Sequence, residues 1–332
     1  MEPSDALRYG RESGNLPSHL LQFSKDKKPV VVWNMTKRCN LKCVHCYAQA
    51  VPVDGADDIS TEQAKTMIDD LAAYGAPVML FSGGEPLVRR GLPELVRMIR
   101  AVPGVEELAM TTNATLLAPV AAELHHAGLD RLNVSLDTLD AARYAELTRG
   151  GSLEDALAGL AAARDAGFSR TKVNCVLMGG VNDVDVPRLA ELARTEPIDV
   201  RFIELMPMGP CAGWPKARFV PAEMVLEAVP GLVPLRRDGV AELWHAPGWV
   251  GNVGLIRPMS HRFCDGCSRI RVTADGRLKP CLHSSAEIAL RGLHGEALLA
   301  ELRRGIAAKP AYHHMDRDHA SQSARDMNEI GG

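Results

Sequence analysis

Between about residues 29 and 206 the chain alternates short apolar, β-branched runs with helical patterns. Residues 30–33 are uniformly apolar and predict a buried strand. Ser60, Thr61, Glu62 and Gln63 form a capping box, and behind it Ala64, Met67, Ile68 and Leu71 mark one helical face. Residues 78–81 predict the next strand, which runs into Ser82, Gly83 and Gly84. A helix near 91–101 and a strand at 107–112 follow, then a helix around 117–127 stopped by Gly128. Residues 132–136, 172–176 and 200–205 predict three more strands. Two helices lie between the first two of these, the second capped by Ser152 and closed by Gly167. Six strands joined by helices imply a parallel sheet with right-handed crossovers. Six units fall short of a closed eight-stranded barrel, so the expected fold is α/β, an open (β/α)6 partial TIM-type barrel. Ligands in such sheets sit at the carboxyl ends of the strands. That directs attention to Ser82 to Glu85, Thr111 to Asn113, Ser135 with Asp137, and Glu204 to Met206.

After about residue 210 the pattern changes. Pro207, Pro210, Pro215 and Pro221 punctuate it, and Asp275-Gly276 reads as a hairpin turn between 270–272 and Leu278. The expected division is an N-terminal extension at 1–28, the barrel at 29–210 and a C-terminal region at 211–332. The last twenty residues are polar and are expected to be mobile. The 332 residues carry 38 Lys and Arg against 41 Asp and Glu, a net charge of −3, which argues against nucleic-acid or anionic-membrane partners. No apolar run is long enough for a membrane span, and Met1 to Asp5 lack the basic flank and apolar stretch of a signal peptide. A cytoplasmic protein is expected.

The eight cysteines change the picture most. In a reducing compartment metal ligation is a better reading than disulfides. Cys39, Cys43 and Cys46 directly follow the first strand; Cys264, Cys267 and Cys281 flank the predicted hairpin. Three thiolates without a fourth can hold an iron–sulfur cubane with one iron left open. The competing reading is zinc, completed by His45 in the first group and by His261 or His283 in the second. Of the two solitary cysteines, Cys175 reads as a small core residue and Cys211 as a free thiol in a loop. His313, His314 and His319 read as part of a solvated tail. Arg269 and Arg271 alternate and so share one strand face, either solvated or anion-binding, and Lys172 sits at a polar strand position.

Cys39-x3-Cys43-x2-Cys46, with Gly83-Gly84-Glu85-Pro86 after the second strand, resembles the radical S-adenosylmethionine (SAM) superfamily over roughly residues 29–206. The resemblance implies that the first triplet holds a SAM-cleaving [4Fe–4S] cluster. It also implies a SAM site built from His45, Gly83, Gly84, Glu85, Thr112, Ser135 and Met206. Residues 263–282, 133–137, 172–174, 200–206 and the terminal Gly331-Gly332 closely resemble the GTP 3′,8-cyclases of molybdenum-cofactor synthesis. That implies a second [4Fe–4S] cluster on Cys264, Cys267 and Cys281, substrate contacts from Lys172, Arg269 and Arg271, and catalytic roles for Arg201, Gly331 and Gly332. It further implies a lyase acting on GTP, an external electron donor, a homodimer and a downstream pyranopterin-forming enzyme.

The N-terminal part departs from the cyclase pattern. Val32, Val78 and Leu80 stand where cyclases carry cationic substrate contacts, and Tyr47-Ala48 stands where they carry Met-Pro. Residues 1–90 are more similar to radical SAM enzymes that modify siroheme-derived tetrapyrroles, so the chain reads as a mosaic joined near 90–105. A tetrapyrrole-modifying enzyme is the alternative expectation. A non-enzymatic electron carrier or zinc module is the third.

Overall fold

The computed structural model describes residues 28–46, 57–264, 267–313, 315 and 319–331. Most of the expected N-terminal extension, Tyr47, Ala48, His314 and Gly332 lie outside these described residues.

The expected barrel strands form as β1 (Val30–Thr36), β2 (Val78–Gly83), β3 (Glu107–Thr112), β4 (Arg131–Ser135), β5 (Lys172–Leu177) and β6 (Asp199–Glu204). Between them run α1 (Thr61–Ala73), α2 (Leu92–Arg100), α3 (Ala121–His126), α4 (Ala141–Thr148), α5 (Leu153–Asp165) and α6 (Val186–Thr195). The capping box forms: Ser60 Oγ accepts from Gln63 N–H at 3.2 Å and Gln63 Oε1 from Ser60 N–H at 2.9 Å. Each strand is buried on both faces, as a helix-covered parallel sheet requires. Val31, Trp33, Met79, Phe81, Leu108 and Met110 join the core under the helices. The opposite face of the same strands carries Val30, Val32, Val78 and Leu80, and from β3 onward it mixes polar side chains such as Arg131, Lys172 and Arg201 with Ala109, Val176 and Ile203.

The C-terminal strands do not form a separate sheet. They are β7 (Val233–Asp238), β8 (Ala241–His245), β9 (Asn252–Ile256), β10 (Arg269–Val272), β11 (Arg277–Lys279) and β12 (Ile288–Ala289), with helices α7 (Met224–Ala228), α8 (Gly295–Ala307) and α9 (Met327–Ile330). One twelve-stranded sheet runs β12-β11-β10-β1-β2-β3-β4-β5-β6-β9-β8-β7. β10 lies parallel to β1 and β9 parallel to β6, so eight strands run parallel in an open row. The six-strand sheet would otherwise leave two edges of unpaired N–H and C=O groups, and the later strands cover both. The register sets Arg269 beside Val30 and Arg271 beside Val32.

The polar tail is corrected as well. Arg325 pairs with Asp275 at 2.9 Å and with Glu287 at 2.5 Å, and Ile330 is fully buried. The charges that made this segment look solvated are matched by carboxylates of the β10–β12 region. Among the described residues no helix is long and apolar enough to cross a membrane.

Candidate active site

The loop after β1 crosses the carboxyl ends of the strands, clamped on two sides. Gly84 N–H donates to Thr36 C=O and Glu85 N–H to Arg38 C=O, each at 2.8 Å. On the other side Lys42 and Val44 N–H donate to the carbonyls of Thr148 and Leu147 at the end of α4, at 3.1 and 2.8 Å. This frame presents Cys39, Cys43 and Cys46, all partly exposed, to a cavity of about 350 Å³. Burial pushes the Cys43 thiol up, and Cys46, Asp137 and Cys39 add repulsion against a further negative charge. His45 Nε2 faces Asp137 Oδ2 at 3.2 Å. Burial would lower that imidazole, but Asp137 outweighs it and raises it. Cys211, read as a loop thiol, is buried under the loop with its Sγ 3.7 Å from His45 C=O, and Cys175 is core.

Glu85 occupies the far side of the loop, buried at the ends of β2 and β3. It accepts from Leu87 N–H at 3.1 Å, Thr112 Oγ1 at 2.8 Å and Asn113 N–H at 2.8 Å. Thr112 therefore positions this carboxylate. Burial raises Glu85 to about 7 against these hydrogen bonds. A carboxyl whose folded value lies above its unfolded value stabilises the fold at low pH and loses that contribution as pH climbs through the folded value. The stability of SAM-free protein should therefore fall by up to about 3 kcal/mol between pH 4.5 and 7. Denaturant titrations across that range check it: Glu85→Gln should flatten the slope, and an unchanged slope would assign it elsewhere.

The second triplet lines the same cavity from the opposite side, together with Arg269, Arg271, His283, Lys309 and His313. Lys309 Nζ reaches Cys267 Sγ at 3.7 Å, Arg269 C=O at 2.6 Å and Pro280 C=O at 3.0 Å. Burial opposes ionisation of Cys267, but Lys309, Arg269 and Arg271 together bring its thiol down to about 7. His313 is not part of a solvated tail: it is buried, edge-on to His283 at 5.0 Å, with Nε2 3.0 Å from Pro258 C=O. Its neighbours in sequence are polar, but the segment folds back over the second triplet. His319 is exposed, as expected.

The donor chemistry fits iron–sulfur clusters. Each triplet supplies three thiols outside any disulfide and no fourth cysteine. Among the described residues no three His, Cys, Asp or Glu converge closely enough for a single metal ion. A single tetrahedral ion needs such convergence, whereas a polynuclear cluster is held by more widely spaced thiolates.

Between the triplets, the walls carry the remaining residues singled out in the sequence. Lys172 and Arg201 are buried on β5 and β6 and pair with Asp238. Ser135 is exposed to the cavity, and Gly83, Gly84 and Met206 line it. Gly331 C=O accepts from Arg271 Nε at 3.5 Å, which brings the end of the chain beside β10. Glu204 instead ties loops together, accepting from the N–H groups of Ala222, Met259 and Ser260. Sequence reasoning missed Asp238, Lys309 and Arg131, the last paired with Glu107 at 2.7 Å. The Asp238-Gly239 pair carries only a turn signal, and Lys309 follows a helix with no motif around it.

The chain matches the radical SAM superfamily over residues 33–193 and the Molybdenum Cofactor Synthesis C family over residues 198–315. The crystal structure of Streptococcus suis SuiB bound to S-adenosylmethionine shares this fold: TM-score 0.57, 14% identity, covering 83% of this chain and 66% of that one. The fold is that of a radical SAM enzyme, which uses SAM and [4Fe–4S] chemistry. The chain is 41% identical over 310 residues to the GTP 3′,8-cyclase of Alkaliphilus metalliredigens (strain QYMF), covering 90% of this chain and 96% of the relative. It is also 41% identical over 317 residues to that of Pelotomaculum thermopropionicum, at the same coverage. It belongs to the GTP 3′,8-cyclase family, whose members carry two such clusters. The relatedness spans the join expected near 90–105, so residues before and after it belong to one family.

Proposed function

We propose that this enzyme cyclises GTP to 3′,8-cyclo-7,8-dihydroguanosine 5′-triphosphate for molybdenum-cofactor synthesis. The observation that supports this most strongly is the shared cavity with a thiol triplet at each end. Cys39, Cys43 and Cys46 would hold the SAM-cleaving cluster, and Cys264, Cys267 and Cys281 would hold a second cluster at the substrate end of the cavity. SAM bound at its cluster supplies a 5′-deoxyadenosyl radical on one-electron reduction. The chain's own residues do the rest. Glu85 and Ser135 take the ammonium and carboxylate of SAM, and Gly83 and Gly84 let the protein main chain approach it closely. His45, Thr112 and Met206 complete that side.

On the substrate side Arg269, Arg271 and Lys172 face the nucleotide, and Arg201, Gly331 and Gly332 complete the catalytic set. One wall offers no charge: Val32, Leu80 and Ala109 form an apolar cluster beside Val30 and Val78. Phosphate contacts must therefore come from the other walls, where Arg131, Lys172, Arg201, Arg269, Arg271 and Lys309 line the cavity. The uncharged wall is what a tetrapyrrole reading would use. A cytoplasmic location, a homodimer, an external reductant, a downstream pyranopterin-forming enzyme and a working division near residue 210 belong to this reading.

The test is SAM cleavage by the anaerobically reconstituted protein with GTP deuterated at the ribose 3′ position. Deuterium should appear in 5′-deoxyadenosine, with formation of the cyclic nucleotide. Stimulation by a siroheme derivative and none by GTP would reject the proposal.

A further inference from the structure

β7 is an edge strand whose residues 233–237 are exposed, yet its last residue, Asp238, is 2% exposed and lines the cavity. Its Oδ2 accepts from Lys172 Nζ at 2.8 Å and also from Arg201 Nη2. One carboxylate oxygen thus lies between two cations from neighbouring strands. Arg201 Nη2 lies 3.6 Å from a second carboxylate, Asp199. β9 makes room for this arrangement: a Cβ on Gly254 would come 2.9 Å from Arg201 Cγ. Burial disfavours the ionised Asp238, but Arg201 and Lys172 outweigh it and hold the carboxyl well below its usual range. Two converging cations on a buried wall make a seat for a phosphate oxygen, and here the protein's own carboxylate fills that seat.

We propose that Asp238 is a positioning and selectivity residue: it is a built-in counter-anion that fixes Lys172 and Arg201 as a pair and closes the seat between them to phosphate. The substrate's anionic groups then meet the outer N–H groups of the pair and the arginines of β10. This rests on the cyclase reading for the identity of the substrate, but the seat itself is tested without turnover.

Calorimetric titration of the cluster-reconstituted enzyme with inorganic pyrophosphate is the measurement. Asp238→Asn keeps the shape, removes the charge and leaves two cations facing each other. Pyrophosphate should bind this variant about tenfold or more tighter than wild type, with steeper salt dependence. Asp238→Glu should restore the wild-type value. With GTP, KM and kcat of Asp238→Asn should fall together, as expected when substrate is drawn into a non-productive seat. Unchanged pyrophosphate affinity in folded, cluster-loaded Asp238→Asn would overturn the proposal. Should that variant not fold, Asp238→Ser decides: it removes the same charge with a smaller side chain, pyrophosphate should again bind about tenfold or more tighter than wild type, and unchanged affinity would overturn the proposal. If wild-type enzyme does not turn over GTP, the cyclase reading fails while the pyrophosphate comparison still stands or falls alone.

Discussion

Alanine at Cys264, Cys267 and Cys281 together should leave an enzyme that still cleaves SAM but makes no cyclised nucleotide. The two triplets sit on different loops. The first sits on the loop held by Gly84, Glu85 and the end of α4, whereas the second is carried by the segments flanking β10 and β11. Removing the second triplet therefore does not touch the frame of the first. Iron and sulfide should fall to about half of the wild-type content, from two cubanes to one. Reductant-dependent 5′-deoxyadenosine formation should persist, uncoupled from product. Cyclisation should drop by about a thousandfold or more, roughly 4 kcal/mol of transition-state stabilisation. The thiols are not the only loss: Arg269, Arg271 and Lys309 would keep their charges with no thiolates opposite them, so the substrate end of the cavity would be left with uncompensated cations. The mirror experiment, alanine at Cys39, Cys43 and Cys46, should keep half of the iron and abolish SAM cleavage. Iron and sulfide analysis, chromatography of deoxyadenosine and mass spectrometry of the nucleotide check all of this together. Cyclic product from the first variant at near wild-type rate would show that the second triplet does not serve the substrate.

The barrel was legible because its strands are buried on both faces, and continuous apolar runs such as residues 78–81 can only be read that way. The thiol spacing and the turn at Gly83 and Gly84 were legible because local sequence alone places them at strand ends. What could not be read was pairing between distant strands. β9 and β10 show as short strand-like segments, but nothing local says that each closes an edge of the barrel sheet, so Arg269 and Arg271 gained their place beside Val30 and Val32 only in the structure. Asp238 was invisible for the same reason. An acid before a glycine satisfies a hairpin turn, and its second role depends on cations 66 and 37 residues away. His313 and Arg325 look solvated because their neighbours are polar; they are held by partners such as Pro258, Asp275 and Glu287 that no helical or strand period links to them.

A single methyl group at Gly84 should disable the SAM end of the cavity. A Cβ there would lie 2.0 Å from Arg38 O, 2.6 Å from Arg38 C and 2.9 Å from Lys37 O. All three are backbone atoms, so no side-chain rotation relieves the overlap. The residues it would push are the start of the cysteine loop, one position before Cys39. They also carry the carbonyl that accepts from Glu85 N–H. Gly84→Ala must therefore move the loop away from the β2 turn, breaking the clamp that fixes Cys39 relative to Glu85. The expected stability loss is about 3 kcal/mol, at the upper end for overpacking because the obstacle is main chain. Geometry should suffer more than stability: first-cluster iron should be partly lost and SAM affinity should fall by about a hundredfold, roughly 3 kcal/mol. Iron at the second triplet should stay. Gly213→Ala is the control, since a Cβ at that position meets nothing within 4 Å and should leave both quantities near wild type. Denaturant unfolding and equilibrium SAM binding measure the pair of effects. A Gly84→Ala protein with wild-type SAM affinity would mean that the close approach of Gly84 to Arg38 is dispensable, and the loop would need another explanation for its fixed position.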